Sequence, residues 1–209
     1  IAPFGLSITP VLVVLGVLLI LLLFRWEHDL EVKDKDALFR PSLLQISGLK
    51  PGMATRFLQT GVTAAFLYIV PLLLQLSYEF TAMQTGLALM PFSLSLLVAA
   101  IIGARLSSRF FANRIIQVGF IIATSGLAAM TASIQPDAAP EDLFLGGLFG
   151  AGVGLIASQI LNLILSSVTE EQTPETAGLT STFEQLGNAI GVALVGTVML
   201  GALAVNVTQ

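Results

Sequence analysis

Glu184 is the acid whose neighbours offer the most chemistry. It stands in Thr180-Ser181-Thr182-Phe183-Glu184-Gln185-Leu186-Gly187, where a polar run gives way to a long apolar one, so its carboxylate could lie below the level of lipid headgroups. Two roles are open from the residue type alone. At a membrane edge it is a first-turn glutamate that complements the helix dipole. Taken out of water, a carboxyl group favours its neutral form and can exchange protons, which makes Glu184 the candidate for proton coupling.

A second set of polar groups recurs at helical spacing. Arg56, Gln59, Thr60 and Thr63 fall three and four residues apart and place a polar stripe on one helical face, with Gln75 closing the far end. Tyr68 and Phe66 add aromatic surface that an apolar ligand could use. Farther along, Gly146, Gly150, Gly154, Ser158, Asn162 and Ser166 follow one another at four-residue intervals, a ridge of small residues that lets another helix approach closely. Asn162 at the polar end of that ridge, with Gln159 beside it, is expected to face inward, because an amide in hydrocarbon is costly without a partner. Such a side chain either bonds a neighbouring helix or lines a substrate pathway. The pathway candidates are therefore Gln59, Thr63, Tyr68, Gln75, Gln159 and Asn162.

Other chemistries find no footing. There are no cysteines and one histidine, so thiolate sites are excluded and His28 lacks the cluster that a metal needs. No cofactor is expected. Gly150-Ala151-Gly152-Val153-Gly154 lacks the preceding strand of a dinucleotide loop and lies inside an apolar run. Paired acids and Ser-His arrangements are missing and no Asp lies in an apolar segment, which argues against an enzyme. No basic stripe exists for nucleic acid.

The elements that carry these groups are membrane spans. The chain has 209 residues, 55% hydrophobic and only 11% charged, with a mean hydropathy of +0.90. Soluble domains carry roughly a quarter charged residues. Six stretches reach the roughly 20 apolar residues that a span requires. They lie near Leu6 to Phe24, Phe57 to Leu76, Gln84 to Ala104, Ile115 to Ile134, Leu143 to Val168 and Phe183 to Val205. An all-α membrane protein of about six helices follows.

All nine basic residues fall between spans one and two or between spans three and four. Both segments share one side of a six-span chain, so the positive-inside rule makes that side cytoplasmic and turns both termini outward. Pro71 and Pro91 each remove a helical hydrogen bond, and kinks are expected there. The long loop from Arg25 to Arg56 carries mixed charge and an amphipathic Leu43-Leu44-Gln45-Ile46, expected along the cytoplasmic interface with Trp26 and His28 at the membrane edge. The organisation is then a linker-region helix over 1–24, a cytoplasmic loop over 25–56 and a partial helix bundle over 57–209. The opening Ile1-Ala2-Pro3-Phe4, without an initiator Met, reads as a piece of a longer protein.

Gly103, Arg109 and Arg114 in the tight loop after span three resemble the second copy of the cytoplasmic loop motif of the major facilitator superfamily. Ser108 stands where that motif has Asp, and Phe111 where it has Gly. Arginines in such a turn can bond the terminal carbonyls of adjoining helices and latch them together, or simply satisfy positive-inside. Four blocks are similar to the fourteen-span drug:proton antiporters of the EmrB/QacA type. They are Arg25-Trp26-Glu27 with Leu38-Phe39-Arg40, Tyr68 to Pro91, the glycine-rich fifth span, and Ala177-Gly178 through Leu194. The resemblance implies spans eight to thirteen of fourteen, the last span missing. It also implies proton-coupled efflux of amphipathic drugs across the cell inner membrane or plasma membrane. The implied partners are membrane lipid, protons, a small-molecule substrate and the missing N-terminal half, which would hold the principal coupling acids. A non-transporting scaffold or sensor, or a metabolite uptake carrier of the same fold, is the alternative.

Overall fold

In the computed structural model the described residues are 9–32, 41–46, 48–133 and 144–207. They form six long helices and no strand: α1 Thr9–Val32, α2 Leu49–Ser77, α3 Ala82–Leu106, α4 Ala112–Ser133, α5 Gly146–Leu165 and α6 Thr173–Val207. Four of these, α2 to α5, are long and apolar enough over their described residues to cross a membrane. With α1 and α6 at the places of the first and last expected spans, the all-α, multi-pass reading holds.

The helices outrun the apolar stretches. α2 begins at Leu49, well before Phe57, α1 continues past Phe24 to Val32, and α6 begins at Thr173. Hydropathy sees only the part of a helix that lipid surrounds, whereas backbone hydrogen bonds continue into the headgroup region. Local signals set several ends. Thr81 caps α3 by accepting from the Gln84 amide while the Gln84 side chain accepts from the Thr81 amide. Thr169 and Gln172 make the same box before α6. α2 runs through Pro71 and α3 through Pro91 without interruption.

Three helix pairs carry the packing: α2 with α6, α3 with α5, and α4 with α5. Glycines decide how close each comes. A Cβ on Gly150 or Gly154 would meet the α3 carbonyls of Phe92 and Leu96, and Gly103 faces Ser158, so α3 and α5 run parallel. Gly119 lies against Gly152 and Ile156, and Gly126 against Phe149, so α4 runs antiparallel to α5. Gly187 faces Phe57 and Gly191 faces Gly61, which makes α2 and α6 parallel. Alternating spans require these three directions.

The described residues form two larger apolar centres and a smaller one of Ala99, Ile115 and Leu155. At one end Phe66, Phe92 and Phe149, from three helices, pack with ring centroids 4.7 to 5.7 Å apart, together with Val70, Leu74 and Met130. Phe66 is thus core and offers no ligand surface. At the end that bears Arg56, a cluster of Met53, Ile156, Ile160 and Ile164 is closed by Leu43. The turn Pro41–Gln45 does more than lie along an interface: Leu43 is 1% exposed and plugs the base of the bundle. Leu21, Leu97 and Ile121 are among many apolar side chains left on the outside, as a lipid environment allows.

Candidate functional site

The polar stripe of α2 meets α6. Close contact at Gly61, Gly187 and Gly191 brings the Arg56 guanidinium to Glu184, whose Oε2 accepts from Nη2 at 2.7 Å. The Arg56 Nη1 donates to Gln59 Oε1 at 3.1 Å. The Thr60 hydroxyl bonds the carbonyl of Arg56 and reaches that of Glu184, while Thr63 donates to the carbonyl of Gln59. The pair is half buried, with side chains 21% and 35% exposed. A charged pair at the edge of an apolar bundle, held by two parallel helices, can stay locked or open when either charge is neutralised.

This geometry removes the dipole role for Glu184. The first turn of α6 lies at Thr173, where Glu175 supplies the acid, and Glu184 sits about three turns farther in. The sequence showed the stripe and the acid, but their pairing is a contact across 128 positions.

The remaining candidates do not gather around this pair. Gln159 is 1% exposed and donates to the Gly103 carbonyl at 2.8 Å, tying α5 to α3. Asn162, expected to face inward, is exposed. The ridge explains the difference: Gly150, Gly154 and Ser158 lie against Phe92, Leu96 and Gly103, and the next step passes the end of α3 at Leu106. Tyr68 is exposed and reaches toward Gly196 on α6, and Gln75 is exposed near the far end of α2. Gln59 also borders an apolar cavity of about 310 Å³ between α2, α4 and α5, shared with Phe120, Thr124 and Val153.

In the α3–α4 turn, Gly103 is a close-packing position, and Arg109 and Arg114 are exposed. Neither arginine bonds a helix carbonyl among the described residues, and the Gly103 carbonyl at this end of α3 is held instead by Gln159 of α5. Sequence reasoning missed a further group. Glu27, counted as a loop acid, is fully buried and lines a cavity of about 460 Å³ with Glu175, Thr182 and Phe183 between α1 and α6. Its one signal was the Arg25-Trp26-Glu27 block, whose continuation Leu38-Phe39-Arg40 lies outside the described residues, as does the His28 side chain. Among the described residues no cluster of His, Cys, Asp or Glu could hold a metal.

A bundle of apolar helices with glycine seams, and among the described residues a charged pair between two parallel helices, fits a multi-pass membrane protein. The chain belongs to the major facilitator superfamily, whose family model matches residues 3–192. It is 29% identical over 189 residues to a probable actinorhodin transporter of Streptomyces coelicolor, covering 87% of this chain and 32% of that protein. It is 28% identical over 153 residues to the puromycin resistance protein pur8 of Streptomyces alboniger, covering 70% of this chain and 30% of that protein. It is also 28% identical over 125 residues to the multidrug resistance protein Stp of Mycobacterium tuberculosis, covering 60% and 23%. The chain thus spans about a third or less of the length of these relatives. No solved structure matches it.

Proposed function

We propose that this chain is the C-terminal part of a fourteen-span drug:proton antiporter of the EmrB/QacA type, exporting amphipathic small molecules from the cytoplasm. The transport and resistance proteins among its relatives support export of such compounds. The observation that carries the mechanism is the Arg56–Glu184 bridge between α2 and α6. Protonating Glu184 would discharge the pair and leave the guanidinium on Gln59 alone, loosening one end of the α2–α6 seam; losing the proton would close it again. Rocking of this half against an N-terminal half would then expose the central pathway alternately to each side. Glu184 acts as an accessory to coupling acids in the other half, and Gln59 and Thr63 are the polar groups of the seam closest to a substrate path.

The test is drug tolerance of a sensitised host expressing the full-length transporter. Tolerance to several amphipathic drugs should rise, and a protonophore should abolish the gain. A protein that reaches the membrane and confers no tolerance or efflux would favour the scaffold reading instead.

A further inference from the structure

The loop between α3 and α4 holds a feature that drug export does not use. α3 and α4 follow each other in sequence, yet each packs on α5 and they make little contact with one another. A groove of about 270 Å³ remains between them. Ile115 and Leu155, 4% and 9% exposed, form its floor, Leu106, Phe110 and Val118 its walls, and Arg114 its one charged rim. The Arg114 side chain makes no hydrogen bond or ion pair with the described residues. Nor can a local acid neutralise it, because no Asp or Glu occurs between Glu79 and Asp137, a stretch that carries Arg105, Arg109 and Arg114. Phe110 and Phe111 stand exposed beside it and add apolar surface at its edge.

We propose that this groove seats an anionic phospholipid of the leaflet facing the arginine-bearing loop, with its phosphate on Arg114 and an acyl chain along Val118 and Leu155. A guanidinium offers a planar fork of donors that matches a phosphate, and the apolar trough below holds an acyl chain by van der Waals packing. The charge complementarity selects an anionic lipid over a zwitterionic one. A merely diffuse attraction would use all three arginines alike, whereas only Arg114 lines the groove.

The experiment uses the purified full-length transporter in nanodiscs of phosphatidylcholine with or without phosphatidylglycerol. Phosphatidylglycerol should raise the unfolding temperature of the native protein, Arg114→Gln should remove more than half of that rise, Arg114→Lys should keep an intermediate share because it retains the charge without the fork, and Arg105→Gln should keep most of it. Because Arg114 makes no internal bond, the substitution should leave folding in pure phosphatidylcholine unchanged. A photoreactive residue at the exposed position Val118 should crosslink to phosphatidylglycerol in the native protein and much less after Arg114→Gln. Equal stabilisation by the two lipids, an equal loss from Arg105→Gln, or a crosslink from Val118 to polypeptide instead of lipid would overturn the proposal.

Discussion

At the residue scale the central contact is Arg56 with Glu184. Removing one member leaves the other charge half buried, a loss between the roughly 1 kcal/mol of an exposed pair and the roughly 3 kcal/mol of a buried one. Arg56→Gln and Glu184→Gln should each lower the thermal stability and export rate of the full-length protein, and the double substitution should cost less than the sum. A double-mutant cycle on unfolding temperature and efflux checks this, and strict additivity would mean that the two side chains do not interact. Gln159→Leu should cost only about 0.5–1.5 kcal/mol, because the Gly103 carbonyl it serves also accepts from the Ser107 amide. The polar members of this site were legible in the sequence because period and residue type expose a stripe. Their partners were not: which face of α2 meets α6 depends on glycine contacts between distant segments. The contrast of buried Gln159 with exposed Asn162 depends on where α3 stops, which residue type does not reveal.

At the element scale, small residues set the distances. A Cβ on Gly154 would run into the α3 backbone at Leu96 and Ala100, so Gly154→Ala should destabilise the bundle by roughly 1–3 kcal/mol through overpacking. Gly86 on α3 has open space around it, and Gly86→Ala should be neutral or stabilising by up to about 1 kcal/mol through helix propensity. Unfolding temperatures of the two variants in detergent provide the comparison, and similar effects would contradict the parallel α3–α5 seam. The four-residue repeat of α5 made this seam visible in advance, since only small residues allow backbones to touch. The glycine contacts of α2 with α6 were less visible, because Gly61 stands without a repeat on its own helix. The burial of Leu43 was hidden as well, since an amphipathic turn looks the same whether it rests on lipid or on protein.

At the scale of the whole molecule, the nine basic residues place the α1–α2 and α3–α4 connections on one side. A cysteine at Asn113, exposed at the start of α4, should resist an impermeant thiol reagent in intact cells and react once the cells are opened. Labelling in intact cells would reverse the topology. The alternation of α2 to α6 and the apolar lengths of α2 to α5 were readable because a bilayer demands long unbroken helices. The order of packing was not, since lipid and protein neighbours look alike to an apolar side chain.

Export driven by protons can be read directly by reconstituting the full-length transporter in proteoliposomes and imposing a proton gradient. An amphipathic drug to which the protein confers tolerance should move against its own gradient as protons move the other way, the movement should stop when the gradient is collapsed, and Arg56→Gln should slow it at equal protein level. Transport that proceeds at the same rate with the gradient collapsed, or no transport by a folded protein, would contradict the account.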